Sequence, residues 1–191
     1  MTGLPPAGGG LPRHPVAVIH GRFQPLHLGH LEYLLAGADR CETLVVGLTN
    51  PDPSQTIAEA TDPARGAAEA NPWTYYERYL MVEAALAEAG VPGHRIRIVP
   101  FPHSFPERLR YYAPPDACYL LTIYDAWGEA KLARFRALGL RTEVLWRRVE
   151  KPISGRRVRE ALAGDDNWQA LVPPAVAAVV KECGLDGRNP R

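Results

Sequence analysis

Val16-Ala17-Val18-Ile19-His20-Gly21-Arg22-Phe23-Gln24-Pro25-Leu26-His27-Leu28-Gly29-His30 decides the fold of this chain. An apolar run of four residues, followed by a histidine and a glycine, reads as a strand. Gly21 to Leu26 then reads as a tight loop, and the residues from Leu28 as the start of a helix. His27 and His30 are three apart, so the first turn of that helix would present both from one side. Gly29 between them offers no side chain to obstruct a bound phosphate. Imidazole N–H donors and a helix N-terminus are thereby expected to converge on one anion at the carboxyl edge of a sheet.

Outward from this segment, short apolar runs alternate with helical patterns, the signature of repeated βα units and a parallel sheet. The pattern predicts strands near 16–20, 43–48, 95–99, 117–122 and 142–146. It predicts helices near 28–38, 75–89 and 126–138, one more after Ser154 and another after Pro173. The expected fold class is α/β, a doubly wound parallel sheet. Thr74 with Glu77 forms a capping box at the start of the second predicted helix, and Gly90 and Gly184 read as helix stops. Residues 50–70 are rich in Pro, Asp, Ala and Gly and lack periodicity. A stretch that long at the end of the second strand reads either as a lid over the ligand crevice or as a passive insertion.

The chain has 191 residues, enough for one full core, and 22 Lys+Arg against 21 Asp+Glu give a formal net charge of +1. A near-neutral chain has no general attraction for nucleic acid or an anionic membrane, so any anion site must be local. Cys41, Cys118 and Cys183 are scattered and odd in number, which fits buried reduced thiols rather than a disulfide framework or a metal knuckle. The Gly- and Pro-rich residues 1–13 lack the basic and apolar regions of a signal peptide and read as a disordered leader, with 14–186 as one domain and 187–191 as a tail. A cytoplasmic location is the corresponding expectation. A homo-oligomer is compatible with these features.

A second diagnostic segment is Ile153-Ser154-Gly155-Arg156-Arg157-Val158-Arg159. Ser154 suits an N-cap, which leaves backbone N–H groups of the following turn aimed outward. Together the two segments resemble the paired signatures of the HIGH nucleotidyltransferase superfamily, His-x-Gly-His after the first strand and an Ile-Ser-type motif before a late helix. Asn71-Pro72-Trp73-Thr74-Tyr75-Tyr76-Glu77-Arg78 and Asp165-Asp166-Asn167-Trp168-Gln169-Ala170-Leu171-Val172-Pro173 resemble further motifs of its archaeal-type nicotinamide mononucleotide adenylyltransferases. The resemblance spans almost everything after residue 14. It implies a Rossmann-like nucleotidyltransferase fold and transfer of a nucleoside monophosphate from a nucleoside triphosphate to a small acceptor, with pyrophosphate released and magnesium carried on the nucleotide.

The resemblance also implies site residues. His27, His30 and Arg159 are expected to be catalytic. Arg22, Phe23, Gln24, His27, Gly29, His30, Ser154, Gly155, Arg157 and Arg159 are expected to bind the nucleotide. Such chemistry needs no strong base, because the acceptor oxygen is already ionised; it needs two anions brought together and charge stabilised on the α-phosphate and the departing pyrophosphate. His14, His94 and His103 read as surface or capping residues. His20, His27 and His30 have no carboxylate or thiolate at ligand spacing, so no protein metal site is expected. Tyr75, Tyr76, Tyr79 and Trp168 read as packing residues.

The acceptor half departs from the adenylyltransferase pattern. Pro102-His103-Ser104-Phe105-Pro106-Glu107-Arg108-Leu109-Arg110 lacks the Asn and Trp that handle nicotinamide there, Thr122-Ile123-Tyr124-Asp125-Ala126-Trp127 stands where Ser-Gly-Asn is usual, and Arg156 replaces a Ser or Thr. Arg108, Arg110 and Arg156 are therefore expected to bind a small anionic acceptor, since guanidinium forks favour carboxylate or phosphonate oxygens over a neutral amide. This pattern resembles the adenylyltransferase-like enzymes of phosphonate antibiotic biosynthesis. The resulting expectation is cytidylyl transfer from CTP to a small phosphonate such as phosphonoformate, with adenylyl transfer to nicotinamide mononucleotide, a step of NAD synthesis, as the alternative. The intact histidines and late Ser and Arg speak against a non-catalytic nucleotide sensor. The short chain speaks against an aminoacyl-tRNA synthetase fragment.

Overall fold

A computed structural model describes residues 13–56, 66–151, 153–164 and 167–184. The leader up to residue 12, the middle of the 50–70 stretch, Asp165-Asp166 and the tail lie outside the described residues. Five parallel strands form one sheet: β1 (His14–Gly21), β2 (Cys41–Thr49), β3 (Ile96–Phe101), β4 (Cys118–Ile123) and β5 (Arg141–Arg147). Between and after them run α1 (Leu28–Ala38), α2 (Tyr75–Glu88), α3 (Ala126–Ala137), α4 (Gly155–Ala163) and α5 (Pro174–Glu182). The spatial order is β3-β2-β1-β4-β5. Chain direction across the sheet reverses between β1 and β4, and at such a switch point ligands bind beyond the carboxyl ends of the strands.

The continuous apolar character of β1 follows from burial on both faces. Ala17 and Ile19 face a core shared with α1, α2, α4 and α5, whereas Val18 faces a second core built with Val45, Tyr119, Leu121, Leu132 and Phe135 from β2, β4 and α3. The helix boundaries have local causes. Thr74 and Glu77 complete the capping box of α2, with Glu77 N–H donating to Thr74 Oγ1 at 3.2 Å and Thr74 N–H to Glu77 Oε2 at 2.8 Å. Gly90 and Gly184 follow α2 and α5 in the left-handed region, at φ +76° and +61°.

His14 is not simply a surface residue. Its Nε2 lies 2.8 Å from Glu143 Oε2, Arg40 Nη1 donates to Glu143 Oε1 at 2.9 Å, and Arg141 Nη2 lies 3.0 Å from His14 Nδ1. This network ties the amino end of β1 to β5 across β4. Cys41 and Cys118 are buried free thiols and Cys183 is a half-buried one. Trp168 is buried, whereas Tyr76 is exposed and stacks on Tyr79.

Candidate active site

Beyond the carboxyl ends of β1, β2 and β4 lies a cavity of about 650 Å³. Five cationic side chains among the described residues line it, Arg22, Lys131, Lys151, Arg156 and Arg159, against the carboxylates of Glu69 and Asp125. A chain of net charge +1 thus concentrates positive charge where two anions would have to meet, as its sequence composition requires of a local anion site.

The two histidines occupy one side. His27 precedes α1 rather than sitting in its first turn: its backbone is extended at φ −133° and ψ 172°, and its Nδ1 accepts the backbone N–H of His30 at 3.2 Å. Because Nδ1 is an acceptor, the neutral ring carries its proton on Nε2. The His30 ring stacks on that of His27 at 3.6 Å between centroids, and Phe23 meets His30 edge-on at 4.9 Å. Burial, reinforced by Lys151, pushes His27 down to about 4. Burial, then His27 and Arg22, holds His30 well below the ordinary histidine range. Both rings are neutral donors at pH 7, poised to gain charge stabilisation only when an anion arrives.

The opposite wall is the start of α4. Ser154 is its N-cap, with Oγ accepting the Arg157 N–H at 3.3 Å, so the hydroxyl hydrogen remains available to donate. Arg159 reaches back from the helix and donates from Nη1 to the carbonyl of Gln24 at 2.6 Å. Gly155 lies so close beneath that loop that a Cβ there would sit 2.8 Å from Gln24 O. Glycine is required by this approach of two backbones. The late helix and the loop after β1 are thus locked together, which brings the two sequence signatures into one site.

Behind the loop, two residues act as scaffold. Gln24 exchanges two hydrogen bonds with the Trp73 backbone, Nε2 donating to its carbonyl at 2.9 Å and Oε1 accepting its N–H at 3.0 Å. Arg78 has no assigned role in the sequence reading, yet it is fully enclosed and donates to the carbonyls of Thr49 at 2.7 Å, Asn50 at 2.8 Å, Arg22 at 2.9 Å and Thr74 at 3.2 Å. Burial lowers it to about 10, and it remains a cation at neutral pH. Its sequence signal was its place at the end of the Asn-Pro-Trp-Thr-Tyr-Tyr-Glu-Arg motif, which reads as a helix start and conceals the inward reach of the arginine.

The remaining predicted residues divide. Arg22, Phe23, Gln24, Gly29, Gly155 and Arg156 line the cavity, although Arg156 is largely exposed and paired with Glu160 at 2.8 Å. Arg157 does not line it and contributes its backbone N–H to the Ser154 cap. Arg108 and Arg110, expected at the acceptor, are not among the residues that line it. They lie on a 3-10 turn, Pro106–Tyr111, where Arg108 covers the Phe105 ring at 4.6 Å and Arg110 covers the Tyr111 ring at 5.0 Å. From the same loop it is His103, read from sequence as a surface or capping residue, that lines the cavity, together with Trp127 and Lys131 of α3.

The sequence profile of the cytidylyltransferase-like family matches residues 18–161, the span from β1 through most of α4. The chain belongs to that family. Members of the family are nucleotidyltransferases, and so is this chain. It is 72% identical over 171 residues to phosphonoformate cytidylyltransferase of Streptomyces viridochromogenes, a match covering 90% of this chain and 93% of that one. It is 29% identical over 182 residues to nicotinamide-nucleotide adenylyltransferase of Ignicoccus hospitalis, covering 88% and 92%. The archaeal adenylyltransferases are therefore distant relatives. In fold, it is similar to a bifunctional NMN adenylyltransferase/ADP-ribose pyrophosphatase of Francisella tularensis, with a TM-score of 0.64 and 15% identity. That match covers 90% of this chain but spans half the length of the bifunctional protein. No helix among the described residues is long and apolar enough to cross a membrane.

Proposed function

We propose that this chain transfers the cytidylyl group of CTP to phosphonoformate, releasing pyrophosphate. The observation that carries the reading is the 72% identity over 90% of the chain to an enzyme of that name, far above the 29% shared with an adenylyltransferase. The cavity supports it. Lys131 Nζ lies 4.6 Å over the Trp127 ring, a cation beside an aromatic face. A nicotinamide mononucleotide ring is itself cationic and would be repelled there, whereas a small multiply charged anion is attracted.

In the proposed reaction an ionised phosphonate oxygen attacks the α-phosphorus of CTP. A new P–O bond forms, the bond from the α-phosphorus to the bridging β-oxygen breaks, and the electron pair leaves with pyrophosphate. His27 Nε2–H and His30 donate to phosphoryl oxygens on which charge grows. Ser154, the first-turn amides of α4 and Arg159 hold the β- and γ-phosphates. No side chain removes a proton from the nucleophile. Magnesium fits as an ion carried on the triphosphate, since of the two lining carboxylates Asp125 already caps α3 and pairs with Lys151 at 3.3 Å; when bound it would neutralise charge on the leaving group.

Pyrophosphate release with ATP, CTP, GTP and UTP crossed against phosphonoformate and nicotinamide mononucleotide tests the reading. Release confined to CTP with phosphonoformate is the expected result. Release with ATP and nicotinamide mononucleotide would replace it with adenylyl transfer.

A further inference from the structure

The cavity has a second floor that the phosphate-handling residues do not use. His20, the penultimate residue of β1, has the same parity as Val18, so it points toward the α3 face, away from α1 and α4. There it stacks on Phe101 at 4.6 Å and 14° and leans on Phe135 at 5.3 Å. Phe101 can lie so close because its ring rests on Gly47, the β2 partner of His20, where any Cβ would collide with it. His20 is 6% exposed and lines the cavity, yet neither ring nitrogen has a hydrogen-bond partner. Buried polar atoms without partners are costly, a cost that is tolerated where a ligand supplies the missing partners.

Two further groups share this recess, Lys131 from α3 and His103 from the loop after β3. Their proximity registers electrostatically: after burial, Lys131 and His103 are the groups that depress the His20 pKa. Phe101 and Phe135 back the His20 ring and Trp127 lines the recess, so a charge-assisted contact in this partly apolar setting counts for more than on the surface.

Resting on the cytidylyl-transfer reading, we infer that Lys131, His20 and His103 form a carboxylate subsite that holds the far end of the acceptor. The phosphonate group must lie at the His27–His30 side to meet the α-phosphorus. The carboxylate of the same small molecule then falls toward the α3 side. Lys131 supplies its countercharge, and one N–H of neutral His20 donates to it. The subsite selects phosphonates that carry a carboxylate next to phosphorus over those that end in a methyl group.

The test is isothermal titration of phosphonoformate and of methylphosphonate into the full chain saturated with magnesium and a CTP analogue carrying a methylene bridge between the α- and β-phosphorus. It compares parent, Lys131→Met and Lys131→Arg, with steady-state kinetics on CTP run alongside. Lys131→Met should weaken phosphonoformate binding by about 30-fold and raise its KM in parallel, with methylphosphonate affinity changed less than about twofold and CTP affinity unaltered. Lys131→Arg should recover most of the loss. Unchanged phosphonoformate affinity in Lys131→Met, or equal weakening of both phosphonates, would overturn the subsite. Tight, Lys131-dependent binding without turnover of CTP would instead retain the subsite and overturn the proposed reaction.

Discussion

Arg78→Met removes the guanidinium while keeping much of its apolar stem. In the parent, Arg78 joins the ends of β1 and β2 by donating to the carbonyls of Arg22, Thr49 and Asn50 at 2.7–2.9 Å. Thr74 O keeps the backbone N–H of residue 78, so it loses least. Three carbonyls are then deprived of their donor, at about 1–3 kcal/mol for each buried one. Because they adjoin a cavity that water can enter, the low end applies, for a total of about 3–5 kcal/mol. For a domain of this size each kcal/mol moves Tm by about 2–4 °C, so the expected fall is about 6–20 °C. Thermal unfolding followed by circular dichroism measures it, with urea unfolding as a check on the free energy. Arg78→Lys keeps the charge but has a single nitrogen, and should recover less than half. Because Arg22 and the loop before Gln24 hang from the same carbonyl, kcat/KM should drop in both variants even at temperatures where they are folded. A Tm within about 2 °C of the parent for Arg78→Met would refute the claim that this arginine holds the sheet edge in place.

Other predictions follow from the same geometry. His27 lies at about 4 in the folded chain and at 6.5 when unfolded, so below pH 6.5 the unfolded state binds more protons. Stability is therefore lost as pH falls from 6.5 toward 4, by about 3 kcal/mol from this residue; urea midpoints at pH 7.5, 5.5 and 4.5 should fall less steeply in His27→Asn, which keeps an N-cap acceptor, and parallel slopes would contradict the assignment. His30→Ala should lower kcat by about a hundredfold with little change in CTP affinity, as measured by titration beside turnover, because its donor acts on charge that develops during transfer. Arg108→Ala and Arg110→Ala should leave the KM for phosphonoformate within about twofold of the parent in steady-state kinetics, since both guanidiniums lie on aromatic rings outside the cavity.

Sequence patterns carry those parts of this molecule that depend on near neighbours. The central strands β1, β2 and β4 were legible because two-sided burial writes continuous apolar runs such as Val16-Ala17-Val18-Ile19, and the Thr74–Glu77 box and Ser154 cap are contacts over three residues. The pairing of the two signature segments was legible only through resemblance; its physical basis is the Arg159–Gln24 bond and the Gly155 contact, across a separation of 135 residues. The acceptor side is less legible for the opposite reason. Arg108 and Arg110 carry suitable charge in a suitable loop, but the 3-10 turn and the rings of Phe105 and Tyr111 take them away from the cavity. His20 and Lys131 give no local signal, because their juxtaposition depends on Phe101 resting against Gly47 and on how α3 packs over β1.

The central claim is that an acceptor oxygen attacks the α-phosphorus, and phosphonoformate labelled with 18O in its phosphonate group tests it most directly. After incubation with CTP, magnesium and the enzyme, 31P NMR and mass spectrometry locate the label. The account predicts a mixed phosphonate–CMP anhydride that retains every labelled oxygen, one of them in the P–O–P bridge, beside unlabelled pyrophosphate. Label in pyrophosphate, or CTP consumption with no phosphonate–CMP product, would contradict it.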